Sequence, residues 1–525
     1  MKKFCILSAG QGTRNSNVVG LHKALLPLEN KPVISHIIDR LDKSVEIVIA
    51  IGYKGEQVKS YVNLIHSDRN ITFVEVDNFD GVGSGPGYSL LCCKDELQEP
   101  FVFTSVDTLI DNDIDLTGIS ENWMGVSLIN SDDSLNYCLV NGSKYLDNLY
   151  YGVGDKAYIG MAGIYEYDKF WKSLEEHKIV KDEYQVIHGF DGLEHIKLID
   201  FTWYDTGNNK SYEEVRKSFP NEVVANKSDE VLFIDKGCVV KYFNNSEIVN
   251  LRLERVKYLN GNVPEVTHVN DNMYCYDYIE GDMLSNISDE VIMKNFLEHC
   301  QSNLWKEISL NTVRTNIFLD DCKEMYETKT KERIKVFSGS DLDNVRIING
   351  IEVEPIEIML QKIDWNRFYK NSISSNFHGD MQPENILYNM KNNRYVLLDW
   401  RQRFGNSVQI GDVYYDLAKL YHALMINGQS ILQDMFDYTI EPFPDYSGDV
   451  ANIKFYSKSN LVYFRDIFKE FCERYNYDWD NVELLGMLQY FNICTLYGSF
   501  KDGKYGNFLF LYGKYLLSKF LNEGR

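Results

Sequence analysis

Two short strings hold the residue types that handle phosphate, and they lie far apart in the chain: Leu7-Ser8-Ala9-Gly10-Gln11-Gly12-Thr13-Arg14 and His378-Gly379-Asp380-Met381-Gln382-Pro383-Glu384-Asn385-Ile386-Leu387. In the first, small residues follow a short apolar run, so successive backbone N–H groups can face one anion, and Arg14 adds a planar fork for two phosphate oxygens. Lys23, in His22-Lys23-Ala24-Leu25-Leu26-Pro27-Leu28, supplies a second cation, and an amide nest with two cations suits a triphosphate. Asp107, just past the apolar run 101–104, and Asp205, in Trp203-Tyr204-Asp205-Thr206-Gly207-Asn208, are hard oxygen ligands of the kind that share one Mg²⁺. In the second string Asp380 and Asn385 stand on a loop entering a strand, and Asp399, in Val396-Leu397-Leu398-Asp399-Trp400, adds a third metal-type ligand. Lys241 sits within the strand-like run Val239-Val240-Lys241-Tyr242-Phe243, where it reads either as an exposed edge residue or as a phosphate contact.

The elements that must position these residues are legible in part. Near-continuous apolar runs at 4–7, 45–51, 72–76 and 101–104 predict strands of a parallel sheet covered on both faces, alternating with helical stretches. Lys31-Pro32 is expected to open a helix through Val33, Ile37, Ile38 and Leu41, and 196–203 to form one β-like run ending at Asp205. Hydrophobic periodicity lapses around 221–229, which places a boundary near 226; 231–234 and 238–243 then predict a hairpin turning at Asp235-Lys236-Gly237, followed by a helix through Ile248, Leu251, Val256 and Leu259. The stretches 284–370 and beyond 420 read as helix-rich, with Trp305, Ile308, Val313, Phe471, Leu485, Leu488 and Tyr490 as core positions.

Composition narrows the classes. A chain of 525 residues that is 44% hydrophobic is long enough for more than one core. With 54 basic and 77 acidic residues the net charge is −23, and no basic tract offsets it, which argues against a nucleic-acid partner. The ten cysteines show no CxxC pair and no zinc-ligand spacing, so reduced thiols of a cytoplasmic protein are expected. The apolar run after Met1-Lys2-Lys3 is shorter than the roughly 7–15 residues of a signal h-region, and nothing approaches the roughly 20 apolar residues of a membrane span, so no membrane insertion is expected.

The ordered set formed by the glycine turn, the HKALLPLENKP segment, the strand-end Asp107 and WYDTGNNKSY resembles the sugar nucleotidyltransferase family, which includes phosphocholine cytidylyltransferases, over roughly residues 3–220. The resemblance implies an α/β, Rossmann-like nucleotidyltransferase domain at 1–225. Leu7, Ser8, Ala9, Gly10, Gly12, Thr13, Arg14 and Lys23 would cradle the triphosphate, with Gly83-Ser84-Gly85 near the base and Asp107 with Asp205 on Mg²⁺; Arg14 and Lys23 would also serve catalysis. Two positions depart from the family: Ser8 stands where Ala or Gly is usual, and Lys156, the candidate for the acceptor phosphate, lacks the usual following proline and reads equally as a solvated lysine.

The HGD, Asn385 and Asp399 set, with Gly411-Asp412-Val413-Tyr414-Tyr415-Asp416-Leu417-Ala418, resembles the aminoglycoside phosphotransferase and choline kinase family over roughly 228–525. That implies a bilobal (α+β) protein-kinase-like phosphotransferase domain at 226–525, with a small lobe at 226–282 and a helical large lobe at 283–525. By the resemblance Asp380 is the catalytic base, Asn385 and Asp399 carry Mg²⁺, and Lys241 contacts ATP. Its helix carboxylate is Glu254, with Glu247 competing, and Tyr276-Asp277-Tyr278-Ile279-Glu280 forms the adenine hinge. His378 is expected to be a structural hydrogen-bonder and Asp416 a support of the loop. Arg401 and Arg403 read either as holding an anionic acceptor or as making surface ion pairs. No GxGxxG loop precedes Lys241 and no Ala-Pro-Glu segment follows Asp399, which favours a small-molecule kinase over a protein kinase.

A kinase makes the phosphomonoester that a nucleotidyltransferase consumes. The expected whole is a bifunctional enzyme that phosphorylates a small alcohol (amino alcohol, polyol or sugar) with ATP and couples the product to a nucleotide, with CTP favoured by the His-Lys before Ala-Leu-Leu. The product would be a CDP-activated precursor for surface polysaccharide or head-group synthesis. The alternatives are a sugar-1-kinase fused to a uridylyl- or guanylyltransferase, and a non-catalytic nucleotide-binding regulator. A homo-oligomer is left open.

Overall fold

The computed structural model describes residues 3–12, 19–111, 120–176, 183–219, 229–442, 448–497 and 500–524. The chain divides into two compact units, Met1–Val249 with Thr267–Tyr278, and Asn250–Val266 with Ile279–Arg525. The boundary expected near 226 lies outside the described residues.

In the first unit the strand Lys3–Ser8 is flanked by Glu46–Ile51 and Phe101–Ser105, both parallel to it, with Ile71–Glu75 parallel beyond Glu46–Ile51. Its alternate residues feed two cores: Phe4 and Ile6 pack on one face, Cys5, Leu7 and Ala9 on the other. That two-sided burial is why the strand reads as continuously apolar. The sheet is mixed, which corrects the all-parallel expectation: Lys156–Ile164 pairs antiparallel to both Phe101–Ser105 and Trp123–Leu128. The helix after Lys31-Pro32 is short, Val33–Asp39, and Leu41 lies beyond its end. The run expected at 196–203 is two strands, Lys197–Asp200 and Trp203–Asp205, in different sheets. Lys197–Asp200 pairs with Trp123–Leu128, whereas Trp203–Asp205 pairs antiparallel with Thr108–Ile110.

The predicted hairpin is present as Glu230–Asp235 and Cys238–Phe243, turning through Lys236 (φ 47°) and Gly237 (φ 77°), the two left-handed residues that a tight hairpin needs. It joins Met273–Asp277 and Thr267–Asn270 in a four-stranded antiparallel sheet. This sheet, expected to open the second domain, packs inside the first unit: Val231, Phe233, Val240, Tyr242, Met273 and Cys275 share a core with Phe4, Val58 and Tyr61. Lys236 at the turn reaches Asp39 at 3.4 Å and the His66 ring nitrogen at 2.9 Å, and the Tyr61 hydroxyl donates to Asp235 at 3.2 Å.

The second unit is built on the helices Glu290–Asn303, Val413–Met425, Ser459–Arg474, Trp479–Cys494 and Lys504–Asn522. Helix Thr312–Lys323 continues through one π turn, Glu324–Thr328, into Lys329–Ile334. Within the stretches read as helix-rich a four-stranded sheet also forms: Val345–Ile348 pairs in parallel with Asp449–Phe455, flanked by Ile351–Glu352 and Phe436–Glu441. That pairing joins segments about a hundred residues apart, beyond the reach of local periodicity. Of the expected core positions Trp305, Phe471, Leu485, Leu488 and Tyr490 are buried, whereas Val313, in the first turn of its helix, is 69% exposed.

Candidate active sites

The first site forms where Phe101–Ser105 ends. The Val106 N–H donates to the Leu7 carbonyl at 3.1 Å, so the chain turns back at Asp107 before Thr108–Ile110. The ladder Thr108↔Asp205 then sets Asp205 beside Asp107, and the Thr206 N–H donates to the Asp107 carbonyl at 3.0 Å. A methyl group on Gly207 would lie 3.0 Å from Asp205 Oδ1 and 3.3 Å from Asp107 Oδ2, so both carboxylates border one small space. Lys23 Nζ lies 2.9 Å from Asp107 Oδ2. It is presented by the turn Lys23–Leu25, which His22 caps by accepting the Ala24 N–H at 3.1 Å.

The two acids titrate in opposite directions. Burial would raise Asp107, but Lys23 and the Ser105 hydroxyl outweigh it and hold the carboxyl below the usual range. Asp205 is raised by burial and by the charge on Asp107, although Gly207 N–H (2.8 Å) and the Tyr137 hydroxyl (2.8 Å) donate to it. A half-buried pair of carboxylates with one cation, Lys23, between them in charge terms fits Mg²⁺, which is held by few protein carboxylates and completed by water and substrate phosphates. No larger cluster of metal-ligating side chains occurs among the described residues.

Leu7, Ser8 and Ala9 are buried at the head of the glycine turn, with the Ala9 carbonyl accepting from Tyr53 N–H at 2.9 Å. A methyl on Gly10 would meet no atom of the described residues within 4 Å, and Gly12 (φ 65°) packs on the Lys23 side chain. Thr13 and Arg14 lie outside the described residues. Gln11 donates to Asp80 at 2.8 Å, tying this turn to the loop that carries Gly83, Ser84 and Gly85. That loop is fixed by Tyr184, whose N–H donates to the Ser84 carbonyl at 2.7 Å and whose carbonyl accepts from Gly87 at 2.8 Å. Lys156, at the start of Lys156–Ile164, ion-pairs with Asp200 at 3.2 Å. Reading the sequence missed Ser105 and Tyr137. The spacing Ser105-Val106-Asp107 carries a signal for the first; Tyr137 has none, because it arrives from another part of the fold.

On the four-stranded sheet of the same unit, Lys241 lies on an inner strand and is 2% exposed, so it is not an edge residue. Its Nζ is 3.5 Å from Glu230 Oε1. The expected partner Glu254 is exposed, as is Glu247, a correction explained by register: Leu232 lies opposite Lys241, so Glu230 lies diagonally on the same face. The Tyr278 N–H donates to the Gly237 carbonyl at 2.8 Å while its side chain is exposed.

The other site belongs to the second unit. The register Ile386↔Leu397 brings Asn385 to Leu398, whose N–H donates to the Asn385 carbonyl at 2.7 Å, and so next to Asp399. Asn385 Nδ2 donates to Asp380 Oδ2 at 3.2 Å and to the Asp380 carbonyl at 2.9 Å. Asp399 takes a left-handed conformation (φ 58°) and ion-pairs with Arg252 at 3.4 Å. The loop hangs from Asp416, which accepts N–H groups of His378 (2.7 Å) and Gly379 (2.6 Å) and the Trp305 indole (3.0 Å). Gly379 (φ 89°) admits no side chain, since a methyl there would lie 2.5 Å from Arg401 Cβ. His378 Nδ1 accepts the Asp380 N–H at 3.3 Å. Lys419 Nζ stands 3.1 Å from Asp380 Oδ1; burial would raise the Asp380 pKa, but Lys419 and Gln382 hold it far below the usual carboxylate range. Sequence reading missed Lys419 and Arg252, each brought to the loop from a helix distant in the chain.

Among known proteins, residues 4–114 match the family described as the MobA-like NTP transferase domain, which places the likeness at the N-terminal part of the chain. The particular relatives are bifunctional GlmU proteins: that of Methanococcus aeolicus is 31% identical over 111 residues, 21% of this chain and 25% of the relative, and that of Methanococcus maripaludis is 28% identical over 137 residues, 26% and 31%. The matched stretch thus spans about a quarter to a third of their length. Among solved structures, a UDP-glucose pyrophosphorylase with UDP-glucose superposes at TM-score 0.37 and 18% identity over 42% of this chain and 98% of the other. The CTP:phosphocholine cytidylyltransferase of Streptococcus pneumoniae does so at TM-score 0.36 and 18% identity, over 41% and 98%. All ten cysteines are free thiols, and among the described residues no helix is long and apolar enough to cross a membrane.

Proposed function

We propose that the chain is a bifunctional enzyme whose residues 1–225 transfer a nucleotidyl group and whose residues 226–525 phosphorylate a small alcohol. The observation that carries the first activity is the meeting of Asp107 and Asp205 beside Lys23, whose side chain packs on Gly12 of the glycine turn. In this reading the phosphomonoester oxygen, already ionised near neutral pH, attacks the α-phosphorus of the nucleoside triphosphate; the new P–O bond forms as the α–β bridge breaks, and pyrophosphate leaves with the bonding electrons. No general base is needed, and the chain's task is positioning and charge neutralisation. Lys23 and the turn at 7–14 hold the phosphates, Ser84 and Gly85 border the base, and Lys156 meets the acceptor phosphate. Mg²⁺, held by Asp107 and Asp205, would supply positive charge to the transferring group. CTP is the proposed donor, on the strength of the His22-Lys23 segment.

The second activity is supported by the hydrogen-bonded set of Asp380, Asn385 and the Leu398-Asp399 turn. Lys419 keeps the Asp380 carboxylate ionised, so it can orient a hydroxyl and take its proton as the oxygen bonds to the γ-phosphorus and ADP departs. Within the second unit Asn385 and Asp399 are assigned to Mg²⁺. The proposed product is a CDP-activated building block for a surface polysaccharide or head group, made in the cytoplasm.

Mass spectrometry of the full chain incubated with ATP, CTP and a pool of small alcohols tests the whole. A CDP-linked product that needs both nucleotides supports it. Uridylyl or guanylyl products with UTP or GTP instead select the sugar-1-kinase alternative, and nucleotide binding with release of neither ADP nor pyrophosphate selects the regulator.

A further inference from the structure

Cations besides Lys419 stand around Tyr415, beside the proposed phosphotransferase loop. Lys419, 7% exposed on helix Val413–Met425, spends its charge on Asp380. One turn earlier on the same helix Tyr415 is 1% exposed, and its hydroxyl accepts from Arg401 Nη1 at 3.2 Å, with the Arg401 guanidinium 5.8 Å from its ring centroid. Arg401 immediately follows the Asp399-Trp400 turn, and its Nε is held by the Arg403 carbonyl at 3.2 Å. A third cation, Lys329, arrives on another helix, three residues beyond Tyr326, whose ring centroid lies 6.2 Å from that of Tyr415, and its charge bears on the Tyr415 hydroxyl. It is half-buried, with no hydrogen-bond or ion-pair partner among the described residues.

Lys329 owes its direction to a local irregularity. It is the first residue after the π turn Glu324–Thr328, and an extra residue in a turn rotates everything beyond it about the helix axis. π turns persist at a cost and recur at functional sites. The charges behave as a crowded set. Burial, then Arg401, Lys419 and Arg333, bring the Lys329 ammonium down to about 8, Tyr415 acting the other way. Burial would raise the Tyr415 hydroxyl, but Arg401, Lys329 and Lys419 bring it to about 8 as well.

We infer that Lys329 and Arg401, backed by Tyr415, form a subsite beside Asp380 for an anionic group on the acceptor, so that the alcohol phosphorylated is one that also carries a carboxylate or a phosphate. This rests on the phosphotransferase reading above and narrows its acceptor from amino alcohols, polyols and sugars in general to hydroxy acids and phosphorylated alcohols. It also departs from what the resemblance to choline kinases alone would imply, since cations in this position repel a cationic acceptor.

The test uses the full chain with D-glycerate, glycerol 3-phosphate, glycerol and ethanolamine as acceptors, following ADP release, together with calorimetric titration of the two anions in the absence of nucleotide. The expected result is that one of the two anions, and which one tells carboxylate from phosphate, exceeds glycerol and ethanolamine in kcat/KM by about ten-fold or more, as loss of a charge-assisted contact implies. Lys329→Met and Arg401→Gln should raise the KM of that anion by about ten- to a hundred-fold while moving the KM of ATP by less than about two-fold, and Lys329→Arg should restore most of the loss. An equal rise in the KM of ATP would assign these cations to the nucleotide and overturn the inference, as would preference for ethanolamine. The two levels fail separately. ADP release with neutral acceptors but no anion binding leaves the kinase and removes the subsite; anion binding that Lys329→Met abolishes, with no ADP release from any acceptor, keeps the subsite and removes the kinase.

Discussion

Asp107 and Asp205, 98 positions apart in the chain, are made neighbours by a ladder of three residue pairs, Trp203–Asp205 against Thr108–Ile110, and a methyl group on Gly207 would press on both, 3.0 Å from Asp205 Oδ1 and 3.3 Å from Asp107 Oδ2. The arrangement leaves one acid held ionised by Lys23 and the other raised by burial and then by its neighbour, a pairing that a divalent cation relieves.

Removing either charge should therefore cost nucleotidyl transfer. Asp107→Asn and Asp205→Asn are expected to lower pyrophosphate release by about a hundred-fold or more, and Gly207→Ala to raise the Mg²⁺ concentration required. Titrating Mg²⁺ while following pyrophosphate checks both. Undiminished release from Asp107→Asn would remove that residue from the site, and a phosphorylated acceptor should accumulate if it is correctly placed.

Asp416 accepts from three donors at once, two of them backbone N–H groups of the 378–380 loop. In Asp416→Asn one oxygen becomes an NH₂ that faces another N–H, so a buried donor is stranded. The expected loss of stability is about 1–3 kcal/mol, with ADP release falling further than stability because the loop itself moves. Denaturant melts and ADP assays on the same preparation separate the two effects.

The buried pair Lys514 and Asp343 should matter for stability alone. Their side chains are 0% and 5% exposed at 3.2 Å, and Lys514 Nζ also donates to the carbonyls of Asp343 (2.9 Å) and Val345 (3.2 Å). Asp343→Asn leaves the ammonium buried without its counter-charge, a change that typically costs about 3–5 kcal/mol. A denaturation midpoint unchanged within error would show the pair to be solvated.

Stability should also fall on mild acidification. Burial lowers His22 to about 3 and His66, His378 and His422 to about 4, whereas a histidine in the unfolded chain titrates near 6.5. Between these values the unfolded chain binds more protons than the native one, so stability is fully present above about pH 6.5 and is lost as pH falls towards 4, on the order of 3 kcal/mol for each histidine. Asp412 and Asp416, raised to about 6 by burial, act in the opposite sense across the same window, and two carboxylates offset four histidines only in part. Unfolding midpoints at pH 7 and pH 5 should therefore differ, and His422→Gln should narrow the gap.

Much of this was legible before any coordinates. The run 4–7 reads as a strand buried on both faces because both faces are apolar, and Lys236-Gly237 reads as a hairpin because tight turns need left-handed residues. The loop around Asp380 and the strand-end positions of Asp107 and Asp399 followed from the same short windows.

Tertiary structure alone decided which of these residues meet. It set Asp205 beside Asp107, gave Lys241 the strand neighbour Glu230, brought Lys419 to Asp380, and assembled a sheet from 345–348 and 449–455 within stretches read as helix-rich. Dihedral preference and hydrophobic period are properties of about ten consecutive residues, so they can be read from the chain in order. Which distant strand ends adjoin, and which helix face turns a lysine inward, is fixed by the one packing that buries every apolar face at once, and that is a property of the whole chain.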